Sequence, residues 1–106
     1  MSKRPNQGNI MLQARRMQSQ IKQLQDQLEE QSFEGTAGGG LVKVAVSGRQ
    51  KVQRIEITEE AINPDDLGEL ADLLTAALNM ALSASQDTSQ GEMKKITGGL
   101  NLPGLF

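Results

Sequence analysis

Residues 9–31 read NIMLQARRMQSQIKQLQDQLEEQ, and the periodicity of this stretch decides how the rest of the chain is arranged. Ile10, Ala14, Met17, Ile21, Leu24 and Leu28 recur at alternating steps of four and three, which is the seam of a heptad helix and fits no strand. At about 1.5 Å per residue such a helix reaches roughly 33 Å, and its apolar stripe is too thin for an ordinary core helix. It is expected to project as an arm.

The charges on this arm run against helix electrostatics. Lys3, Arg4, Arg15, Arg16 and Lys22 lie in or before its N-terminal half, whereas Asp26, Glu29, Glu30 and Glu34 crowd the other end. Both groups oppose the helix macrodipole, each misplaced charge costing about 0.3–1 kcal/mol at low salt. Helix stability alone favours the reverse order, so the pattern is either a solvated face or one that meets an anionic partner. The net charge of −2 averages two poles, because residues 1–22 carry five basic and no acidic side chains and residues 55–93 carry nine acidic and no basic ones. Local fields steer partners more than totals do.

A chain of 106 residues is one domain with a modest core, which oligomerisation would supplement. Cys and His are both absent, which removes disulfides, thiolate metal sites and the commonest general base. No catalytic residue, metal or cofactor is expected, because no nucleophile–base pair or cofactor loop can be assembled. There is no apolar run of about 18 residues, and the opening MSKRPNQGN lacks the apolar region of a signal peptide. No membrane insertion is expected, and the reading is a soluble cytoplasmic protein.

In chain order, residues 1–8 read as a flexible basic tail and Asn9 as a helix N-cap. The glutamines flanking the seam permit self-pairing without enforcing it. Residues 31–35 form a short first strand anchored by Phe33. The TAGGG run at residues 36–40 has no Gly-Lys-Ser/Thr or GxGxxG context, so it reads as a loop rather than a phosphate cradle. Residues 41–47 alternate as a strand with Val42, Val44 and Val46 on one face, and Ser47, Gly48 and Arg49 turn the chain. In the next strand, residues 51–58, Val52 is out of phase with Ile55 and Ile57, so a bulge near Gln53 or Arg54 is expected to return it to their side. Lys43, Arg49, Lys51 and Arg54 decorate the outside of this hairpin.

Residues 58–62 suggest one helical turn. Asn63 as N-cap, Pro64 at the first helical position and Asp65 and Asp66 behind it open a second long helix. The carboxylates Asp65, Asp66, Glu69 and Asp72 lack the spacing of a calcium loop and read as capping and solvation. Leu67, Leu70, Leu74, Ala77, Ala81 and Ala84 share one seam, Leu73, Ala76 and Met80 an adjoining one, and Leu78 and Leu82 widen the apolar surface. A helix apolar over so much of its circumference needs more cover than a three-stranded sheet provides. A second protomer is the simplest cover, with Leu70, Leu73, Leu74, Ala77, Leu78 and Ala81 as the expected dimer interface. After Ala84 the sequence turns polar, and fraying or a break is expected at Gly91. Lys94 and Lys95 form a second cationic cluster that suits either the helix end or an anion. The fold class is α+β: a single α-β-β-β-α domain over residues 9–97, with a long N-terminal helix, a three-stranded antiparallel meander, a long C-terminal helix, and a C-terminal tail at residues 98–106.

Taken in this order, MLQARRMQSQIKQLQDQL at residues 11–28, GLVKVAVSG at 40–48, RIEI at 54–57, DLGELADLLTAALNMAL at 66–82 and GGLNLPG at 98–104 resemble the YbaB/EbfC family of nucleoid-associated proteins. The likeness covers nearly the whole chain and rests on joint order and spacing rather than on one motif. It implies a tweezer-like homodimer with helical arms outside, binding double-stranded DNA with little sequence preference. On this resemblance the DNA-facing positions are Arg15 and Arg16 on the first helix and Lys94 and Lys95 on the last. Lys3, Arg4 and Lys22 join them from the charge pattern. With no Tyr or Trp and only Phe33 and Phe106 as aromatics, there is no stacking platform for single strands, which favours contact with the duplex backbone. The competing expectation is an adaptor whose heptad arm clasps a protein partner.

Overall fold

The computed structural model describes residues 7–98. Of the tails expected at residues 1–8 and 98–106, residues 1–6 and 99–106 lie outside the described residues, whereas Gln7 and Gly8 belong to the first helix, so that Asn9 lies inside it rather than capping it, and Gly98 caps the last helix. Helix α1 spans Gln7–Glu30, strands β1, β2 and β3 span Ser32–Ala37, Val42–Ser47 and Val52–Ile57, a 3-10 turn occupies Glu59–Ala61, and helix α2 runs from Leu67 to Thr97. The strands form one antiparallel sheet in the order β1-β2-β3. The α+β meander expected from the sequence is therefore the fold. Its radius of gyration is 20.2 Å, against about 13 Å for a compact domain of this length, so a large part of the chain extends away from the sheet.

The sheet is built by alternation. Phe33, Gly35 and Ala37 of β1 stand opposite Val46, Val44 and Val42 of β2, and all six point to the side that α2 covers. Val42, Val44 and Val46 are buried with Ala77 and Ala81 of α2, and Leu70, Leu73, Leu74 and Leu78 pack around them. Gly35 lets the helix lie directly on the strand: a Cβ there would meet the backbone oxygen of Ala77 and stand 2.7 Å from the Ala81 nitrogen. The alanines supply the same closeness from the helix side. The bulge falls where the phase change requires it, because pairing passes from Ala45↔Arg54 to Val46↔Val52 and leaves Gln53 without a partner on β2. The turn after β1 uses Gly38, Gly39 and Gly40 at φ of 64°, 68° and 96°, a left-handed run open to glycine at no steric cost.

The start of α2 differs from expectation. Asn63 accepts the Asp65 N–H on its side chain at 3.0 Å and the Asp66 N–H on its carbonyl at 2.9 Å, so it makes a turn that places Pro64 before the helix rather than in it. Asp66 is the N-cap, its side chain accepting the Glu69 N–H. The far end differs too. Gly91 neither breaks nor frays α2, which continues to Thr97 and closes on Gly98 in the left-handed conformation, the Gly98 N–H donating to the Lys94 carbonyl. An interior helix glycine costs about 1 kcal/mol relative to alanine, and packing on either side of Gly91 offsets it. Ser85, Ser89, Met93 and Thr97 are buried at steps of four residues, and Met93 joins Ile21, Leu24 and Leu28 of α1 in a second core, with Met17 and Ile96 packed on it.

Replacing Gly35 by alanine forces a methyl into the backbone of α2, an overpacking expected to cost about 2–3 kcal/mol. Urea denaturation should show the midpoint falling by the corresponding amount, whereas Gly39→Ala, which meets nothing within 4 Å, should lose only the smaller cost of its positive φ.

Candidate nucleic-acid interface

The arm is two helices, one of them longer. The C-terminal end of α1 and the turn after β2 meet at Gly48, whose N–H donates to the Leu28 carbonyl at 2.7 Å and whose missing Cβ leaves room for Leu28. Beside it, the Ser85 hydroxyl of α2 donates to the Ser47 carbonyl at 2.7 Å, and the Gln50 amide donates to both Ser85 Oγ at 3.1 Å and the Gly48 carbonyl at 3.0 Å. Gln50 is the only described non-glycine residue at positive φ, 59°, and these bonds hold it there. From this knot α1 and α2 run antiparallel, Met93 sharing a core with Ile21, Leu24 and Leu28 and Ile96 and Met17 packing at its edge, so α2 ends alongside the middle of α1. The first turns of α1 continue past it. Ile10, Met11 and Leu12 are 51, 57 and 45% exposed.

The expected cationic residues fall on this arm. Arg15 and Arg16 are exposed on the stretch of α1 before its packed half, and neither they nor Lys94 have a carboxylate within ion-pair distance among the described residues. Lys22 is exposed and lies 3.9 Å from Asp26 one turn on. Lys95 is exposed and lies 3.0 Å from Glu92; it and Lys94 occupy the last turn of α2, the part of that helix closest to the arginine pair. Lys3 and Arg4 fall outside the described residues. The hairpin cations behave otherwise: Lys51 bonds Glu29 at 2.9 Å, and Arg54 reaches Glu34 at 3.4 Å and Glu56 at 3.1 Å. The Lys51 ammonium holds the Glu29 carboxyl below its ordinary value. Since the folded value is the lower one, this tie acts above the unfolded carboxylate value and is lost as pH falls through the folded one.

The expected interface residues divide. Ala77 and Ala81 are fully buried against the chain's own sheet, so they would offer nothing to a second copy, because the close helix–strand approach at Gly35 consumes them. Leu70, Leu73, Leu74 and Leu78 are half-buried at the edge of the same core. Sequence reasoning missed the larger exposed apolar surface. Ile55 and Ile57 stand opposite Val44 and Val42 and so point to the helix side of the sheet, yet α2 lies over β1 and β2. Val52, Ile55 and Ile57 remain 51, 49 and 39% exposed. By helical spacing Leu67, Leu74, Leu78 and Leu82 share the side of α2 that carries Ser85, which faces the turn into β3, so leucines border this uncovered strand. A helix about 10 Å across cannot roof three strands spaced about 4.8 Å apart, and that mismatch was the available signal. Among the described residues no group of acidic side chains could hold a metal, and no helix is long and apolar enough to cross a membrane.

An antiparallel sheet roofed by a long helix, with a cationic two-helix arm at one end, defines the class of small α+β proteins that present charge on a projecting rod. Residues 3–100 match the YbaB/EbfC DNA-binding family, and the chain belongs to that family. It is 45% identical over 101 residues to a nucleoid-associated protein of Clostridium novyi, covering 95% of this chain and 89% of that one, and 46% identical over 101 residues to one of Thermoanaerobacter pseudethanolicus, covering 95% and 91%. The crystal structure of an uncharacterized protein from Helicobacter pylori has the same fold, with a TM-score of 0.82 at 18% identity over 90% of this chain and 100% of that chain.

Ser85→Ala removes the donor to a buried carbonyl and one acceptor of Gln50. Leaving such groups unpaired costs about 1–3 kcal/mol, and chemical denaturation should read a loss in that range.

Proposed function

We propose that this protein is a homodimer that clasps double-stranded DNA in the nucleoid through backbone contacts from its paired arms, with little sequence preference. The observation that carries the reading is the position of Arg15 and Arg16, exposed and without a carboxylate partner among the described residues, on the part of the arm that extends past α2. No acidic residue precedes Asp26, so a polyanion approaching the arm meets only cations there. Phosphate contacts by arginine position a protein without reading bases, and the relatives' name, nucleoid-associated protein, fits that use.

The dimer reading rests on the uncovered strand. Val52, Ile55 and Ile57, with the leucine edge of α2 beside them, form an apolar strip that a lone protomer leaves to water, and β3 has a free hydrogen-bonding edge as the outer strand of the sheet. A second copy docked on this strip completes the roof of each sheet and leaves the arms outside. The interface therefore centres on β3 and the α2 leucines Leu67, Leu74, Leu78 and Leu82, not on Ala77 and Ala81.

Reversing both arm charges, Arg15→Glu with Arg16→Glu, should abolish retention of random duplex in a gel shift at low salt while the sedimentation coefficient stays that of the wild type. Unchanged retention would remove the arm from the mechanism. If Lys3, Arg4, Arg15 and Arg16 of both protomers each touch a phosphate, the log–log salt dependence of binding should be no steeper than roughly −7. Placing a carboxylate in the strip with Ile55→Glu should weaken the dimer by roughly a hundredfold or more, read by sedimentation equilibrium. A variant that remains dimeric at low micromolar concentration would move the interface elsewhere.

A further inference from the structure

At about 100° per residue, the seam of α1 and its outward face separate cleanly. Ile10, Ala14, Met17, Ile21, Leu24 and Leu28 lie on one side; Met11, Leu12, Arg15, Arg16, Ser19 and Lys22 fall on the other. Up to Lys22 this outward face carries cations and no carboxylate, and Asp26, one turn past Lys22, is the first acid on it. Met11 and Leu12 sit within it, 57 and 45% exposed, each one helical turn before an arginine, in the pairs Met11–Arg15 and Leu12–Arg16. Side chains four apart on a helix are neighbours, so each apolar side chain lies directly beside a guanidinium.

Phosphate contact does not account for this pair. Neither residue belongs to the sheet core or to the core of the arm, and neither lies near the β3 strip at the other end of the molecule. Two large apolar side chains projecting from a cationic helix face have the composition by which proteins enter the minor groove, where cations hold the flanking phosphates and an unbranched or γ-branched side chain slides between base pairs. The cations of the same face select the occupant, since the partner must be anionic around an apolar slot. A duplex offers both: phosphates on the two strands and stacked bases between them.

We propose that Met11 and Leu12 act as a wedge that partly unstacks a base step while Arg15 and Arg16 grip the adjoining phosphates, so that the protein kinks DNA at each arm instead of only coating it. The proposal rests on the DNA-binding reading above and adds a deformation to it. The wedge reads no hydrogen-bond pattern, and its preference is for steps that unstack easily, such as TA and CA/TG.

The test compares wild type with Met11→Gln/Leu12→Gln. Both positions are exposed and glutamine is a good helix former, so the fold should be retained, which an unchanged urea midpoint checks. A random-sequence duplex carrying 2-aminopurine opposite thymine at a TA step, and a donor–acceptor pair at its ends, reports unstacking and bending. Wild type should raise the 2-aminopurine emission and shorten the end-to-end distance. The double variant should lose both signals and bind about tenfold more weakly, with its salt slope unchanged within one unit. Wild-type binding that leaves both signals flat, or a double variant that still produces them, overturns the wedge while leaving the DNA reading intact. Retention of duplex by the Arg15→Glu/Arg16→Glu variant removes the arm, and the wedge with it, from DNA binding, whereas wild type that retains no duplex at low salt brings down the DNA reading itself. A nuclease-resistant protein partner lost on Met11→Gln/Leu12→Gln, with bending preserved, assigns the pair to that protein and also overturns the proposal.

Discussion

The architecture depends on a mismatch of lengths. Helix α2 has 31 residues and spans about 46 Å, while the six-residue strands beneath it reach only about 20 Å. The sheet can shelter less than half of the helix, and the remainder would stand bare in water without a second element. The packed half of α1 is that element. Three strands deliver the chain to the end of the sheet opposite α1, and α2 runs back across the sheet to reach Ser47 with Ser85, so it emerges at the end where α1 enters and packs antiparallel to it. The arm is thus a product of the core's incompleteness.

Much of this was legible in residue spacing. The heptad at Ile10 to Leu28 gave α1 to within three residues, the alternation in Val42, Val44 and Val46 gave β2, and the phase slip between Val52 and Ile55 called for a bulge near Gln53 or Arg54, which falls at Gln53. What the sequence concealed has a common cause, which is that small residues carry little hydrophobic signal even when fully buried. Ser85, Ser89 and Thr97 look like a polar, fraying helix end, yet all three are buried in one four-residue row with Met93, which shares a core with Ile21, Leu24 and Leu28, and that repeat was the cue. In the same way Ala77 and Ala81 looked available to a second protomer because sequence alone does not show that Gly35 lies opposite them. The N-cap was misplaced for a local reason: Asn63-Pro64 suits a turn as well as it suits a helix start, and Asp66 had an equal claim to the cap.

The candidate site was legible in kind and less so in extent. Charge order picked out Lys3, Arg4, Arg15, Arg16 and Lys22 as a group, because an N-terminal cation cluster works against its own helix, and only the family resemblance singled out Arg15 and Arg16 within it. Charge order could not separate them from Lys51 and Arg54, whose ion pairs with Glu29, Glu34 and Glu56 form only when the sheet brings distant segments together. The exposed strip on β3 was hidden for a three-dimensional reason as well, since alternation tells which face a side chain takes but not which strands a helix roofs. The unpaired cations and the β3 strip consequently sit at separate places, the first on the arm beside Met11 and Leu12 and the second beside the sheet, and neither competes with the residues that hold the chain's own core together.

Because α2 passes from the body into the arm with no interruption at Gly91, the molecule has no joint between the two. A transverse load at the tip is carried as bending strain along a continuous hydrogen-bonded rod and delivered as torque to the seat where Gly35 meets Ala77 and Ala81. Stiffness of this kind makes the arm a lever of fixed angle, so the geometry imposed on whatever it holds is set by backbone seated against backbone some tens of ångströms away.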